Sequence, residues 1–234
     1  MTIAGNVAGI QERMFSAARR AGRSADDLVL MGVSKTFPAE AVREASAAGI
    51  RVFGENRVQE FAEKSAELGR LPGAAWHLIG HLQSNKAAKA AELFDAVDSV
   101  DSLRLAERLN SAAAGLGKKL RVLIEINVGG ENAKAGLDPS APELEEILLA
   151  APRLHHLEVQ GLMAIPPFFE NPEDARPYFR KLREVRDATR RRQLSCVAMS
   201  VLSMGMSHDF EIAVEEGSTC VRVGTGIFGE REKG

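Results

Sequence analysis

The sequence predicts an α/β fold, a (β/α)8 barrel of the TIM type preceded by an N-terminal helix. Eight short apolar segments, each suited to a buried strand, alternate along the chain with segments of helical periodicity. Such alternation is typical of a parallel sheet with right-handed crossovers, and eight strands close a barrel. No Pro-, Gly- or Ser-rich linker and no fixed repeat divides the 234 residues, so we expect one domain over 1–234.

The first segment, 1–21, predicts a packing helix because Ile3, Val7, Ile10 and Met14 share one face. It lacks the apolar core and cleavage site of a signal peptide. Pro38 suits the start of the next helix, since the missing N–H costs nothing there. The strands are predicted at 28–34, 50–53, 75–79, 96–97, 120–127, 157–163, 196–200 and 219–223, and the helices between them at 39–48, 57–68, 85–93, 102–114, 142–150, 174–189 and 210–216. Two of these strands are very short, so a doubly wound open sheet is the alternative.

The composition excludes several function classes. Thirty basic and thirty-two acidic residues give a net charge of −2, which favours neither nucleic acid nor an anionic membrane. No stretch approaches the roughly 20 apolar residues of a membrane span. Cys196 and Cys220 lie in apolar runs without C-x-x-C spacing, which indicates buried thiols in a reducing compartment, and we expect a cytoplasmic protein. His77 and His81 flank Gly80 at a strand end, where helical ligand spacing is not available, so no metal site is predicted.

Lys35 is the first candidate functional residue, because it directly follows the first predicted strand. In a barrel, functional residues lie at the C-terminal ends of the strands and in the loops that follow them. Burial lowers the pKa of a lysine readily, and the free amine attacks carbonyl groups to form imines. The alternative is a structural lysine whose charged group reaches solvent beside the sheet.

The loops after strands seven and eight predict a phosphate site. They contain Ser203, Gly205, Gly224 and Thr225, whose small side chains allow backbone N–H groups to approach an anion while hydroxyls complete the contacts. Barrels commonly hold phosphate in these two loops. The alternative is that the glycines serve ordinary turns.

Arg222 lies inside the apolar run 220–223, where an unpaired guanidinium would be costly. A carboxylate or a ligand atom is therefore expected to face it. A reactive lysine, a phosphate cradle and a buried arginine together predict a site for pyridoxal 5'-phosphate, which needs an amine, a phosphate site and a partner for its ring nitrogen.

Six segments, in the order of the chain, resemble the motifs of the pyridoxal phosphate homeostasis protein family. They are GVSKTFP, FGENRVQE, WHLIGHLQSNK, GLMAIP, LSMGMSHDF and VRVGTGIFGER, and they extend from about residue 28 to residue 231. The resemblance implies a (β/α)8 barrel like the N-terminal domain of alanine racemase. It also implies that pyridoxal phosphate is attached to the lysine of the S-K-T motif.

Carried over to this sequence, the resemblance assigns one role to each candidate. Lys35 forms the Schiff base, Arg222 faces the pyridine nitrogen, Asn56 and Met204 line the ring, and Ser203, Gly205, Gly224 and Thr225 hold the phosphate. Two positions depart from the family pattern. His81 stands where many relatives have proline, and His208 stands where aspartate is usual.

The family implies a protein of intracellular pyridoxal phosphate homeostasis that stores, buffers or transfers the cofactor without dedicated turnover. Its expected partners are the cofactor and pyridoxal phosphate-dependent apo-enzymes, and we expect a monomer. The first alternative is an amino-acid racemase, which needs an acid and a base on opposite faces of the imine. Alanine racemases take one of these groups from a tyrosine of an additional β-domain, whereas here we expect no such domain and Tyr178 falls in a predicted helix. The second alternative is an aldolase that uses Lys35 directly on a sugar phosphate.

Overall fold

Within residues 2–130 and 135–230, which the computed structural model describes, eight parallel strands close into a barrel. Each strand pairs with the next along the chain, and the last pairs with the first, with Val29 opposite Cys220 and Met31 opposite Arg222. The predicted (β/α)8 barrel is confirmed. The alternative, an open sheet, is wrong because the first and last strands of the chain pair with each other. The strands are β1 (Val29–Val33), β2 (Val52–Glu55), β3 (Ala75–Leu78), β4 (Ala96–Val100), β5 (Leu120–Glu125), β6 (Leu157–Met163), β7 (Val197–Ser203) and β8 (Cys220–Val223).

The helices of this part of the chain surround the barrel. They are α1 (Ile3–Arg20), α2 (Ala39–Ala47), α3 (Val58–Leu68), α4 (Ala87–Leu93), α5 (Leu103–Gly115), α6 (Pro142–Ala150), α7 (Arg176–Arg191), α8 (Phe210–Glu215) and α9 (Thr225–Phe228). The predicted N-terminal helix is confirmed, with Thr2 accepting a hydrogen bond from Gly5 N. Helix α1 packs against α2, α8 and α9. The single domain predicted over 1–234 includes residue 1 and the segments 131–134 and 231–234, which lie outside the described residues.

Three strands extend further than the sequence predicts. Strand β2 continues through Gly54 to Glu55, β4 continues to Val100, and β7 continues to Ser203. The backbones pair there, for example Gly54 opposite His77 and Ser203 opposite Met163. The prediction ended these strands too early because it followed apolar side chains, whereas the ladder depends only on backbone groups. The short helix α9 was not predicted.

The pleat of β5 shows how the barrel interior is lined. Leu120, Val122 and Ile124 belong to the apolar core between the sheet and the surrounding helices. Successive strand residues point to opposite faces, so Arg121 and Glu125 point into the barrel. The interior therefore carries charged side chains at both ends of one strand.

A small apolar cluster of Met31, Val33, Ile79 and Cys220 occupies the middle of the barrel. Branched apolar residues usually fill such interiors. Here polar side chains also occupy inward positions, and the buried ones include Asp98, Glu125, Ser203 and Arg222. Polar groups are costly inside a protein unless they are paired. The polar side chains of this interior therefore indicate a functional role and not a role in packing.

A buried ion pair fixes the ends of β1 and β2. Lys64 on α3 donates hydrogen bonds to Glu55 Oε1 and to the backbone oxygen of Ser34, each at 2.7 Å. The Ser34 hydroxyl donates to the same carboxylate oxygen at 2.8 Å. Lys64 and Glu55 are 8% and 0% exposed at their side chains. This Ser34–Glu55–Lys64 cluster holds the backbone immediately before Lys35.

Replacing Lys64 by methionine should leave the Glu55 carboxylate buried without its cation. Removing one partner of a buried ion pair costs roughly 3–5 kcal/mol, and we expect the free energy of unfolding to fall by about that amount. Urea denaturation at pH 7 measures the change. The double variant Glu55→Gln/Lys64→Met should recover part of the loss. Lys89→Met is the matched control, because Lys89 pairs with Glu92 at the surface and such pairs contribute about 1 kcal/mol or less. Equal losses in Lys64→Met and Lys89→Met would contradict a structural role for the buried pair.

Candidate functional site

A cavity of about 420 Å³ opens at the C-terminal ends of the strands. Its described lining includes five of the predicted site residues, namely Lys35, Asn56, Arg222, Gly224 and Thr225. These residues come from the loops after β1 and β2, from β8, and from the segment that follows β8. Barrel closure thus brings both ends of the sequence into one site, which we call the C-terminal cavity.

Lys35 sits on a backbone that is fixed on both sides. Before it, Ser34 is held by Glu55 and Lys64. After it, Thr36 adopts a left-handed conformation with a φ of 66°, and its N–H donates to Glu60 Oε1. Since the chain can neither slide nor unwind there without breaking these bonds, the lysine is held at the cavity.

Asn56 follows β2 and is half-buried at the cavity wall. Gly80, after β3, packs directly on the backbone of Asn56, so a Cβ at position 80 would collide with it. A glycine is therefore required at position 80 for Asn56 to take its place. Among the expected ring-lining residues, Asn56 reaches the cavity.

Arg222 is 3% exposed and lies at the bottom of this cavity. Its Nη1 donates to Ser203 Oγ at 2.8 Å, and its Nη2 donates to the backbone oxygen of Ala164 at 2.9 Å. Burial lowers the pKa of Arg222, while the nearby Cys220 thiol and the carboxyl groups of Asp98, Glu125 and Asp209 act in the opposite direction. Within the described residues no carboxylate forms a salt bridge with Arg222. The guanidinium is thus held by neutral acceptors and retains donors that a ligand could use.

Three predicted site residues do not line the cavity. Ser203 is fully buried and accepts the hydrogen bond from Arg222, so it lies beneath the site. Met204 is fully buried in the core between sheet and helices. Gly205 has a φ of 91°, its carbonyl accepts from Arg222 N, and a Cβ there would meet Ala213 at 2.5 Å. These residues support Arg222 and the loop after β7 from below.

The hydroxyls at the cavity come from Ser207 and Thr225, which lie on the loops after β7 and β8. Their oxygens are 3.3 Å apart, and Gly226 N donates to Ser207 Oγ at 3.4 Å. The backbone N–H groups at the start of α9 therefore converge with two hydroxyls. Sequence reasoning placed the first hydroxyl at Ser203 and missed Ser207 as a site residue. The distinction depends on where β7 ends, because Ser203 is the last residue of the strand and is buried against Arg222, whereas Ser207 lies on the loop beyond it.

Glu125 is a further site residue that sequence reasoning missed. It is 6% exposed, lines the cavity, and its Oε2 has no hydrogen-bond partner within the described residues. Burial, with a smaller contribution from Asp101, raises its pKa to about 7, against the opposing effects of Arg222 and His81. The carboxyl group can therefore hold or release a proton near neutral pH. The sequence contained a signal for this residue. Like Arg222, Glu125 is a charged side chain inside an apolar run, here 122–126, and such a side chain needs a partner or a function.

Residues 2–130 and 135–230 contain no group of three or more His, Cys, Asp or Glu side chains that could hold a metal ion. None of their helices combines the length and the apolar character that crossing a bilayer requires.

Comparisons with known proteins show the family to which the chain belongs. The family model of the alanine racemase N-terminal domain matches residues 10–232. The pyridoxal phosphate homeostasis protein of Aquifex aeolicus is 48% identical over 223 residues, which cover 95% of this chain and 96% of that protein. The protein of the same name from Escherichia coli K12 is 43% identical and is matched over 98% of this chain and 97% of its own length.

Solved structures give the same result. PipY of Synechococcus elongatus PCC7942, determined with pyridoxal phosphate bound, superposes with a TM-score of 0.84 at 40% identity, covering 97% of this chain and all of PipY. Alanine racemase of Clostridium difficile 630 has a TM-score of 0.70 at 16% identity. That match covers 99% of this chain but 57% of the racemase, and it shows a shared fold. With identities of 38–48% to curated homeostasis proteins over nearly the whole length, the chain belongs to the pyridoxal phosphate homeostasis protein family.

Proposed function

We propose that this protein binds pyridoxal 5'-phosphate in the C-terminal cavity and serves in the homeostasis of that cofactor. The observation that carries the proposal is that a lysine amine, a hydroxyl–amide cradle and a buried guanidinium line one cavity of about 420 Å³. The cofactor bound by PipY, which is 40% identical, supports it. When bound, the cofactor supplies an aldehyde that condenses with a lysine amine.

Lys35 is the amine in this proposal. It lies directly beyond β1, and its neighbours Ser34 and Thr36 are both anchored, so its position is set before any ligand arrives. Pre-organisation of this kind reduces the entropy that binding must otherwise remove. Covalent attachment at Lys35 also allows release, because imine formation is reversible by hydrolysis.

Ser207, Thr225 and the N–H groups of 224–226 hold the phosphate in this proposal. Hydroxyl and amide donors form short, charge-assisted hydrogen bonds to phosphate oxygens. Gly226 has little space for a side chain, since a Cβ would meet Val223 Cγ1 at 2.9 Å. Ser203, which the sequence analysis also assigned to the phosphate, accepts a hydrogen bond from Arg222 Nη1, so in this proposal it supports the guanidinium.

Arg222 faces the pyridine nitrogen in this proposal. A cation at that position disfavours protonation of the ring, which weakens the ring as an electron sink. Bond-breaking at an amino-acid α-carbon depends on that sink. The arrangement therefore favours holding the cofactor over using it, and we propose storage, buffering or transfer without dedicated turnover.

A racemase-like activity is the second candidate function, and one observation favours it. Glu125 lines the cavity, and burial raises its pKa to about 7, so it offers an acid–base group besides Lys35. Tyr178, the single tyrosine of the sequence, does not serve, because it lies on α7 and stacks on Phe169 at 5.5 Å. A racemase-like enzyme would convert amino acids at enzymatic rates, whereas a carrier would not.

Lys35→Ala should abolish covalent attachment of pyridoxal phosphate while the barrel remains folded. The measurement is mass spectrometry of peptides after borohydride reduction of the loaded protein, with circular dichroism to check the fold. Lys86→Ala, which removes an exposed lysine near the loop after β3, is the control and should load normally. Reduced cofactor found mainly on another lysine of the unaltered protein would show that Lys35 has been misassigned.

Ser207→Ala/Thr225→Ala should weaken the affinity for pyridoxal phosphate by roughly tenfold or more. Hydrogen bonds to charged groups contribute about 1.5–3 kcal/mol each, and the double variant removes two. Absorbance titration with the cofactor measures the dissociation constant. The control is Ser65→Ala/Ser111→Ala, which removes two helix hydroxyls that donate to backbone carbonyls away from the cavity. Equal affinity for pyridoxal phosphate in both double variants would show that the phosphate binds elsewhere in the molecule.

The loaded protein should transfer pyridoxal phosphate to an added apo-enzyme and should not racemize alanine at enzymatic rates. Deuterium exchange at the α-carbon of alanine in D₂O measures turnover, and recovery of the apo-enzyme's activity measures transfer. Exchange faster than roughly 1 s⁻¹ lies within the ordinary enzyme range and would replace the carrier function with the racemase-like one. Glu125→Gln then identifies the second acid–base group, since only an exchange that depends on Glu125 would be lost.

A further inference from the structure

Another cavity, of about 610 Å³, opens at the opposite end of the barrel. Val29, Val52 and Ala96, the first residues of β1, β2 and β4, contribute to its wall. It shares no described lining residue with the C-terminal cavity. We call it the basal cavity, and nothing in the proposed function uses it.

The basal cavity is cationic. Its described lining contains four arginines, Arg23, Arg121, Arg186 and Arg190, and two carboxylates, Asp27 and Asp98. The Asp98 carboxylate is fully buried and is hydrogen-bonded to His77, whose Nδ1 lies 3.0 Å from Asp98 Oδ1. Arginines therefore outnumber the carboxylates that face them, although the whole chain has a net charge of −2.

The arginines converge without matching partners inside the cavity. Arg186 pairs with Asp187, and Arg23 donates to the backbone oxygen of Val214 at 2.6 Å. Neither Arg121 nor Arg190 has a side-chain hydrogen bond or salt bridge within residues 2–130 and 135–230. Arg121 points into the barrel from β5, so its charge is held at the cavity by the pleat.

Arg23 lies close to other positive charges. Burial lowers the pKa of Arg23, Asp27 acts against that effect, and the positive charges of Arg186 and Arg183 lower the pKa further. Holding half-buried like charges together is unfavourable unless anions balance them, and Asp27 supplies one negative charge beside several arginines. Guanidinium groups are suited to such an anion, because their planar N–H donors match the oxygens of phosphate.

His77 adds an unpartnered polar atom from the interior side. Its ring lines the basal cavity, and its Nε2 is buried without a hydrogen-bond partner in the described part of the chain. Burying a polar atom without a partner is costly, so Nε2 also indicates that a polar ligand occupies this cavity.

We propose that the basal cavity is a binding site for a small phosphate-bearing anion, held by Arg121, Arg190 and His77 with Arg23 and Arg186 around it. The volume is within the range of sites for small molecules. It is independent of Lys35 and of the phosphate cradle formed by Ser207 and Thr225.

Inorganic pyrophosphate is the probe, and histidine ring resonances report where it binds. His77 lines the basal cavity and His81 lines the C-terminal cavity, so the two cavities carry one reporter each. In ¹H–¹⁵N spectra of the full chain loaded with pyridoxal phosphate, so that the C-terminal cavity is already filled, pyrophosphate at constant ionic strength should shift the His77 ring signals and leave those of His81 in place. Shifts at His81 alone, or no shift at either ring, would overturn the proposal.

Calorimetric titration with pyrophosphate tests the arginines. Arg121→Gln/Arg190→Gln should weaken binding roughly tenfold or more, since two charge-assisted contacts are lost. Arg70→Gln/Arg104→Gln removes the same charge from exposed positions outside the cavity and should leave affinity unchanged. Equal weakening in both double variants would show general electrostatic attraction and overturn the site. If the Arg121 variant does not fold, Arg190→Gln alone, at an exposed position of α7, should still lower the affinity, and an unchanged affinity there counts against the proposal.

Discussion

The burial of the Arg222 guanidinium is the constraint on which the functional end of this barrel depends. A cation inside a sheet is tolerated only when its donors are satisfied, and here Ser203 on β7 and the carbonyl of Ala164 after β6 satisfy two of them. Those bonds tie the C-terminal ends of β6, β7 and β8 together. They also fix the bottom of the C-terminal cavity and leave the remaining N–H donors of Arg222 for a ligand.

Stability and function are divided between two layers of the molecule. The apolar core between strands and helices, with residues such as Leu120, Val122 and Ile124, contributes the burial that folds the chain. The barrel interior holds a much smaller apolar cluster and a set of charged groups, among them Asp98, Glu125 and Arg222. Because the outer layer carries the stability, the interior can accommodate polar residues that line the cavities at both ends.

The same fold occurs in alanine racemase, and we propose that the residues at this site favour a different use of the cofactor. A fold sets where a ligand binds, whereas the chemistry depends on individual side chains. Arg222 weakens the proposed electron sink, and Glu125 is the cavity residue that could restore proton transfer. The balance between these two residues separates a carrier from an enzyme, and the exchange experiment measures that balance directly.

The sequence by itself determined the barrel, the N-terminal helix, and the sites of Lys35, Asn56, Arg222, Gly224 and Thr225, because strand and helix periodicity and strand-end positions are local properties of the chain. It placed Ser203, Met204 and Gly205 in the cavity, where the structure instead has Ser207 and Glu125. That difference depends on the last pairs of β7 and on the direction of each side chain from the pleat, which strand register fixes. The basal arginines show the same limit more clearly. Arg23, Arg121 and Arg190 are far apart in sequence and unremarkable one by one, and only closure of the barrel brings their charges together.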